Sequence, residues 1–135
     1  MARSLDGLTP LLEVFDLPTS LAFYRNVLGF DMVSGDDTWW CMLKLGNATL
    51  MLNTAYEQEE RPLIPEPQQV RGHGDLSLYF DTNPDEVYAL LQSKGWQVTA
   101  PVEKSYGFRQ VTTHDPDGFQ LCFIRPSSRS ADSKL

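Results

Sequence analysis

Long hydrophobic runs and abundant cysteines are both missing from this sequence. No apolar run approaches the roughly 18 residues of a membrane-spanning helix, and the N-terminus has no basic stretch followed by an apolar one. Neither membrane association nor a secretory signal is therefore expected. The only two cysteines, Cys41 and Cys122, lie in apolar, strand-like runs, which predicts buried thiols of a cytoplasmic protein rather than a disulfide.

Basic residues are also scarce. The sequence has 11 Lys and Arg against 18 Asp and Glu, so its net charge is −7. Binding to the phosphate backbone of a nucleic acid needs clustered Lys and Arg, and no nucleic-acid partner is expected. The acidic balance favours neutral or cationic ligands.

One sequence pattern is present twice. An apolar run ends in Phe-Asp, an amphipathic stretch follows, and a Gly-aromatic pair begins the next extended stretch. The matching residues are Phe15-Asp16 and Gly29-Phe30 in the first copy and Phe80-Asp81 and Gly95-Trp96 in the second. The offset is 65 residues for the aspartates and 66 for the glycines. We interpret the chain as two copies of one supersecondary unit.

Hydrophobic periodicity and turn residues predict the elements of each copy. Module 1, about 8–54, is predicted to contain a strand at 10–15, a helix from Leu17 to Leu28, and strands at 30–34, 38–45 and 48–53. A Pro- and Glu-rich linker covers about 55–72. Module 2, about 73–126, is predicted to contain a strand at 74–80, a helix from about Pro84 to Ser93, and strands at 97–100, 108–114 and 119–125.

The predicted order is βαβββ twice, an α+β fold with a helix on one face of each sheet. Modules of roughly 60 residues would be marginal alone, so we expect them to share a core within a single domain, 1–135. The polar segment 127–135 is predicted to be a flexible tail.

These motifs resemble the vicinal oxygen chelate superfamily, which contains glyoxalase I, extradiol dioxygenases and the bleomycin-resistance proteins. The residues that carry the resemblance are Asp16-Leu17, Phe23-Tyr24, Leu28-Gly29-Phe30, Tyr106-Gly107-Phe108-Arg109 and Asp115-Pro116-Asp117-Gly118-Phe119. The resemblance covers about 8–126. It implies paired βαβββ modules around a cupped, partly open, barrel-like mixed sheet, and commonly a homodimer.

The same resemblance directs attention to four positions. Enzymes of the family hold a divalent ion with His and Glu side chains from the first and last strands of each module. Those positions correspond here to Thr9, Met51, Asp75 and Cys122. A thioether and an unactivated hydroxyl are poor ligands for such an ion, so no metal cofactor is expected. An alternative stays open, in which His73, Asp75 and Glu13 hold a metal and Glu13 is the catalytic base.

A binding pocket is predicted on the face that carries the ligand positions. Its residues are partly polar and partly apolar, which is typical of small-molecule sites, although a water-filled cup or a dimer contact would show the same mixture. The predicted lining is Glu13, Trp39, Trp40, Met51, Asn53, Asp75, Ser77, Tyr79, Arg109 and Cys122.

The two tryptophans and the arginine of this set are expected to have specific roles. Trp39 and Trp40 are adjacent, so in a strand one must point inward, where its ring can stack on a planar heterocycle or face a cation. Arg109 is expected to pair with a carboxylate such as Glu13, to bind an anionic ligand group, or to form a purely structural ion pair.

Three functions are compatible with these observations. The leading hypothesis is a metal-independent homodimer of the bleomycin-resistance-like branch that sequesters a small aromatic or cationic molecule. The alternatives are a glyoxalase-like lyase or isomerase with a rearranged metal site, and a dimerisation module whose cup is filled by side chains. The final Ser133-Lys134-Leu135 would indicate a peroxisomal protein only in a eukaryote.

Overall fold

A computed structural model describes residues 3–56, 60–64 and 73–127. The chain divides into two compact units, Met1–Leu63 and Ile64–Leu135, and the boundary falls inside the predicted linker. The terminal Ser133-Lys134-Leu135 lies outside the described residues. None of the helices in the described part of the chain has the length and hydropathy needed to span a lipid bilayer.

Unit 1 follows the predicted βαβββ order. Its elements are β1 (Leu11–Val14), α1 (Leu17–Ala22), a π-helical turn (Phe23–Val27), β2 (Asp31–Gly35), β3 (Trp40–Leu45) and β4 (Ala48–Thr54). The sheet order is β1-β4-β3-β2, with β1 parallel to β4 and the other neighbours antiparallel. The module is therefore a four-stranded mixed sheet, as the sequence predicts.

Local sequence signals set both ends of the helix in unit 1. Asp16 is the N-cap, and its carboxylate accepts a hydrogen bond from the backbone N–H of Thr19, which satisfies one of the free donors of the first turn. Pro18 lies in that turn, where it lacks only a donor that would be unpaired. Gly29, which follows the helical residues, has φ +91°, a conformation that other residues adopt only with strain.

The core of unit 1 lies between its sheet and its helix. Alternate residues of β1, β3 and β4 point to this side and are almost fully buried, as the two-residue period requires. They are Leu12, Val14, Cys41, Leu43, Leu50 and Leu52, and from the helical segment Leu17, Leu21, Phe23 and Tyr24. Burial of each such leucine contributes about 1.5–3 kcal/mol to folding, so this face of the sheet is fixed by packing.

Unit 2 repeats the order. Its elements are β5 (Ser77–Asp81), α2 (Pro84–Ser93), β6 (Val102–Glu103), β7 (Phe108–His114) and β8 (Gln120–Pro126). The sheet order is β5-β8-β7-β6, again with a parallel first pair and antiparallel neighbours. Asn83 caps α2 by accepting from the backbone N–H groups of Asp85 and Glu86, and Gly95 follows the helix with φ +70°.

Two strands of module 2 differ from the prediction. The strand expected over 97–100 is reduced to one bridge between Val98 and Thr113. The Thr99 hydroxyl accepts the backbone N–H of Thr112 at 2.9 Å, so a side chain replaces the carbonyl that a ladder would use, and the fourth strand is β6. The first strand begins at Ser77 rather than at 74, because His73 is helical and residues 74 and 75 lie in a turn.

Candidate functional site

The second face of the sheet in unit 1 carries several of the predicted pocket residues. We call this the open face of unit 1. Its residues are Thr9, Leu11, Glu13, Trp40, Met42, Lys44, Thr49, Met51 and Asn53. Strand alternation places them opposite the core, and all of them are half-buried or exposed. Thr9, Glu13, Met51 and Asn53 therefore lie on the same face of the sheet, as predicted from the sequence.

Three functional groups form a row across this face. Glu13 is the Cα partner of Asn53 on the neighbouring parallel strand, and Asn53 is the partner of Trp40 on the next strand. Paired residues lie on one side of a sheet with Cβ atoms about 4.5–5.5 Å apart. A carboxylate, an amide and an indole therefore lie side by side at one level of the sheet.

The equivalent face of unit 2 is more polar. The open face of unit 2 consists of Ser77, Tyr79, Gln110, Thr112, His114, Gln120, Cys122 and Ile124. Cys122 lies at its centre, opposite Tyr79 on one side and Thr112 on the other. Although Cys122 is on this face, its exposed fraction is 0%, so its neighbours cover the thiol completely.

Hydrogen bonds hold these neighbours around Cys122. Gln110 and Gln120 each donate an amide N–H to the Cys122 Sγ at a distance of 3.5 Å. Gln110 also donates to the Thr112 hydroxyl at 3.1 Å. Tyr106 donates its hydroxyl proton to the Gln110 side-chain oxygen. Gln110 is itself buried, and a buried amide needs such partners. The result is an ordered polar cluster rather than an aliphatic core.

Cys122 and Tyr106 of this cluster change the pKa of the neighbouring Tyr79 hydroxyl. The charge interaction with Cys122 is the largest cause that raises the pKa of the Tyr79 hydroxyl above its usual value, and burial acts in the same direction. Hydrogen bonding with Cys122 and Tyr106 contributes to the higher pKa. Tyr79 therefore keeps its proton at neutral pH and can donate a hydrogen bond from a side chain that is 53% exposed.

The donor chemistry at the family's four ligand positions does not fit a divalent metal. Thr9 hydrogen-bonds through its hydroxyl to that of Thr49 at 2.5 Å, and Met51 offers only a thioether. Asp75 is exposed in a turn, whereas Cys122 is enclosed by its cluster. Hard divalent ions prefer carboxylate and other oxygen ligands, and zinc also takes imidazole and thiolate, in each case with the ligands converging on one point. Among the described residues, no group of three or more His, Cys, Asp or Glu could hold a metal.

His73 has structural contacts of its own. Its Nδ1 lies 2.8 Å from the carbonyl oxygen of Asp117, and its ring stacks on Phe119 with centroids 4.0 Å apart. It is 8% exposed. The argument that His73 and Asp75 share the face of Ser77 required an extended strand, and the helical His73 with the turn at 74 and 75 removes that basis.

Arg109 lies on the helix side of its sheet, not on the open face of unit 2. Its Nε and Nη2 atoms donate to the two carboxylate oxygens of Asp85 at 2.9 and 2.8 Å, and Glu103 lies 3.8 Å away. The hydrogen bond from Arg109 is the main cause that lowers the pKa of Asp85. This is the structural ion pair that the sequence left as one alternative. Gly107, with φ +90°, makes the preceding bend.

The two adjacent tryptophans in unit 1 have different surroundings. Trp40 belongs to the row on the open face, whereas Trp39 lines a cavity of about 250 Å³. The cavity is bounded by the end of β1, the start of α1, the turn before β3 and the segment after β4. Its lining residues are Asp16, Leu17, Pro18, Asp37, Thr38, Trp39, Thr54, Tyr56 and Arg61. We call it the Trp39 cavity.

Arg61 places its guanidinium in the Trp39 cavity. The guanidinium donates to the Asp16 carboxylate and lies 5.3 Å from the centre of the Phe15 ring. Burial acts to raise the pKa of Asp16, but hydrogen bonds from Thr19 and Arg61 and the Arg61 charge lower it overall. Sequence reasoning did not assign Asp37, Tyr56 or Arg61 to a site. Tyr56 and Arg61 follow β4 in a stretch without periodicity.

Comparison with known proteins gives one family match. A sequence model of the Glyoxalase/Bleomycin resistance protein/Dioxygenase superfamily matches residues 9–123. That range includes β1 to β7 and part of β8. No curated protein matches the chain.

Several solved structures share the fold. A bleomycin-binding protein complexed with bleomycin is 26% identical, with a TM-score of 0.66, over 91% of this chain and 100% of that one. An antibiotic-binding protein from Streptomyces sp. CB03234 is 25% identical, with a TM-score of 0.67, over 93% and 100%. A lactoylglutathione lyase from Agrobacterium tumefaciens is 19% identical, with a TM-score of 0.66, over 90% and 95%, which shows a common fold alone.

Proposed function

Because the chain belongs to the glyoxalase/bleomycin resistance protein/dioxygenase superfamily, we propose that it is a metal-independent protein that binds and sequesters a small aromatic or cationic molecule. The fold alone does not select this function, since it hosts unrelated activities. The proposal is supported by chemistry at particular residues and by the similarity to bleomycin- and antibiotic-binding proteins.

The observation that carries the proposal is the row Glu13, Asn53 and Trp40. An indole face attracts cations and stacks on planar rings, a carboxylate complements positive charge, and an amide can both donate and accept. These groups are half-buried or exposed, so they remain accessible to a ligand. The net charge of −7 favours cationic molecules by long-range attraction.

The open face of unit 2 supports the same function. Tyr79, Ser77 and Gln120 offer hydroxyl and amide groups along adjacent strands. The Cys122 cluster holds Gln110 in place behind them. Polar groups fixed on a sheet can orient a ligand without losing much conformational freedom when they bind it.

Isothermal titration calorimetry tests the proposal directly. The panel would contain bleomycin, other cationic aromatic antibiotics and their uncharged analogues. Binding should persist after treatment with a chelator. Glu13→Gln should weaken binding of a cationic ligand by roughly three- to tenfold, since a partly exposed charge pair is worth about 1 kcal/mol. Trp40→Ala should weaken binding by a similar or larger factor.

A matched control separates local from general charge effects. Glu86 is exposed in the first turn of α2, so Glu86→Gln removes the same charge without touching either open face. It should leave the affinity within about twofold of the original value, because Glu86 lies on neither open face and an exposed charge is screened by salt. Absence of heat with every compound, or equal losses in Glu13→Gln and Glu86→Gln, would contradict the proposal.

The rival function is a glyoxalase-like lyase or isomerase. It is favoured only by the common fold, since residues 73–75 are not extended as the alternative ligand set His73, Asp75 and Glu13 required. Elemental analysis of protein purified without chelators distinguishes the two functions. Stoichiometric nickel, zinc, manganese or iron that is lost in His73→Ala would favour the enzyme, whereas metal-free protein that still binds ligand supports sequestration.

Assembly and location complete the proposal. We propose a homodimer, as the resemblance to the bleomycin-resistance branch implies, and a cytoplasmic location, as two cysteines in apolar runs indicate. Light scattering coupled to size-exclusion chromatography would report a mass near twice that of the 15.3 kDa chain. A monomeric mass at micromolar concentration would remove the homodimer from the proposal without affecting the binding function.

A further inference from the structure

We propose that the Trp39 cavity of unit 1 is a binding site for an organic cation, namely an ammonium or amidinium group carried on a small apolar or aromatic body. This inference goes beyond the proposed function, because it uses no residue of either open face. It rests on the shape of the cavity, its exposed indole, a carboxylate that has no partner among the described residues, and the guanidinium of a lining arginine.

The first argument is the indole. Trp39 is 53% exposed and lines the cavity together with Tyr56. The backbone around it is well fixed, since its N–H approaches the Asp36 carboxylate at 3.3 Å and its carbonyl accepts from the Thr54 N–H at 2.9 Å. An indole on a hydrogen-bonded stretch of backbone that opens to a cavity offers apolar surface and a negative π face.

The second argument is charge. The lining includes the carboxylates of Asp16 and Asp37 and the guanidinium of Arg61. Arg61 is bound to Asp16, whereas Asp37 has no hydrogen bond or ion pair with any residue that the structure describes. The unpaired charge at the wall is therefore negative. A cation that entered beside Trp39 would gain both the Asp37 carboxylate and the indole.

The third argument is that the cavity already receives one cation. The Arg61 guanidinium sits between the Asp16 carboxylate and the Phe15 ring, 5.3 Å from the ring centre. Phe15 lies outside the cavity lining, whereas Asp37 and Trp39 provide a further carboxylate and an aromatic ring within it. The cavity therefore combines the two kinds of group, a carboxylate and an aromatic ring, that Arg61 contacts at its edge.

Size limits the class of ligand. A volume of about 250 Å³ lies just below the usual range for drug-sized ligands. It accommodates one substituted aromatic ring or a short alkyl amine. Anionic ligands are disfavoured, because Arg61 is already paired and Asp37 would repel them.

Three probes with one ring and different charge test the inference. Benzamidine is positive, benzamide neutral and benzoate negative at pH 7. The sequence has three tryptophans, so indole N–H signals in ¹H–¹⁵N spectra can be assigned with Trp39→Phe. Benzamidine should shift the Trp39 signal saturably, and Asp37→Asn should raise its Kd by roughly three- to tenfold.

Controls make the outcome decisive. Asp31→Asn removes one charge from an exposed position of β2 outside the cavity and should change the Kd by less than about twofold. An equal response to benzamide, a stronger response to benzoate, or no shift of the Trp39 signal with any probe would each overturn the inference. The Trp40 signal reports on the open face of unit 1, so failure here is distinguishable from failure of the proposed function.

Discussion

The Nδ1 atom of His73 lies 2.8 Å from the carbonyl oxygen of Asp117, so a residue four positions before β5 is tied to the turn between β7 and β8. Because a carbonyl only accepts, Nδ1 carries the proton in this bond. The ring is also stacked on Phe119. His73 thus joins two distant parts of unit 2, a role that accounts for its burial without any bound ion.

This contact predicts a loss of stability in His73→Ala. The variant leaves a partly buried carbonyl without its donor and removes the stacked ring, and together these should lower the free energy of unfolding by about 1–3 kcal/mol. His114→Ala is the control, because His114 is exposed and should change stability by less than about 0.5 kcal/mol. Urea denaturation measures both. Equal stabilities of the two variants would refute the structural role.

The glycines after the two helices predict a backbone effect. Gly29 and Gly95 have φ of +91° and +70°, and a Cβ at either would meet no atom within 4 Å. Substitution by alanine should therefore cost only the strain of the left-handed conformation, about 1–2 kcal/mol. Gly7 also has open space but no positive φ, and Gly7→Ala should be neutral. Thermal unfolding of the three variants is the measurement.

The Asp16–Arg61 pair predicts a pH-dependent stability. The folded pKa of Asp16 is lowered, so the pair stabilises the protein above the unfolded pKa of about 3.9 and the stabilisation is lost as pH falls through the folded value. Arg61→Gln should lower the free energy of unfolding by about 0.5–1 kcal/mol at pH 7. The difference should vanish at strongly acid pH. A deficit that persists there, measured by denaturation across pH, would point to lost packing instead.

The two thiols predict slow chemical modification. Cys41 and Cys122 both have 0% exposure, and burial raises the pKa of Cys41, which lowers the fraction of reactive thiolate. Ellman's reagent should therefore react with neither in the native protein until the fold opens. Ser34 is exposed in β2, so a Ser34→Cys variant should react within seconds and serves as the positive control. Rapid labelling of unmodified protein would show that the clusters around the thiols open readily.

Sequence reasoning succeeded where local chemistry determines structure. The helix Pro84–Ser93 has the predicted bounds, because a capping Asn83, a proline in the first turn and a terminal glycine all act within a few residues. Alternation likewise gave the face of Glu13, Met51 and Asn53 correctly, since a leucine-rich opposite face permits only one register.

Sequence reasoning was less successful where one side chain competes with the backbone. The Thr99 hydroxyl replaced a ladder carbonyl, and no pattern in the sequence distinguishes that from an ordinary strand. Arg109 was assigned to the pocket because of the motif that contains it, without asking which face of its strand it occupies. Its partner Asp85 is 24 residues away in the sequence. The Trp39 cavity depends on segments that meet only in the folded chain.

The π-helical turn of unit 1 has a consequence for how the duplicated units differ. Twelve residues separate the cap Asp16 from Gly29, whereas eleven separate Asn83 from Gly95. The wider hydrogen bond from Leu28 N–H to the Phe23 carbonyl, at 3.2 Å and five residues back, absorbs the extra residue within the helix. The helical segment of unit 1 therefore holds one residue more than that of unit 2, and it still ends at a glycine with positive φ.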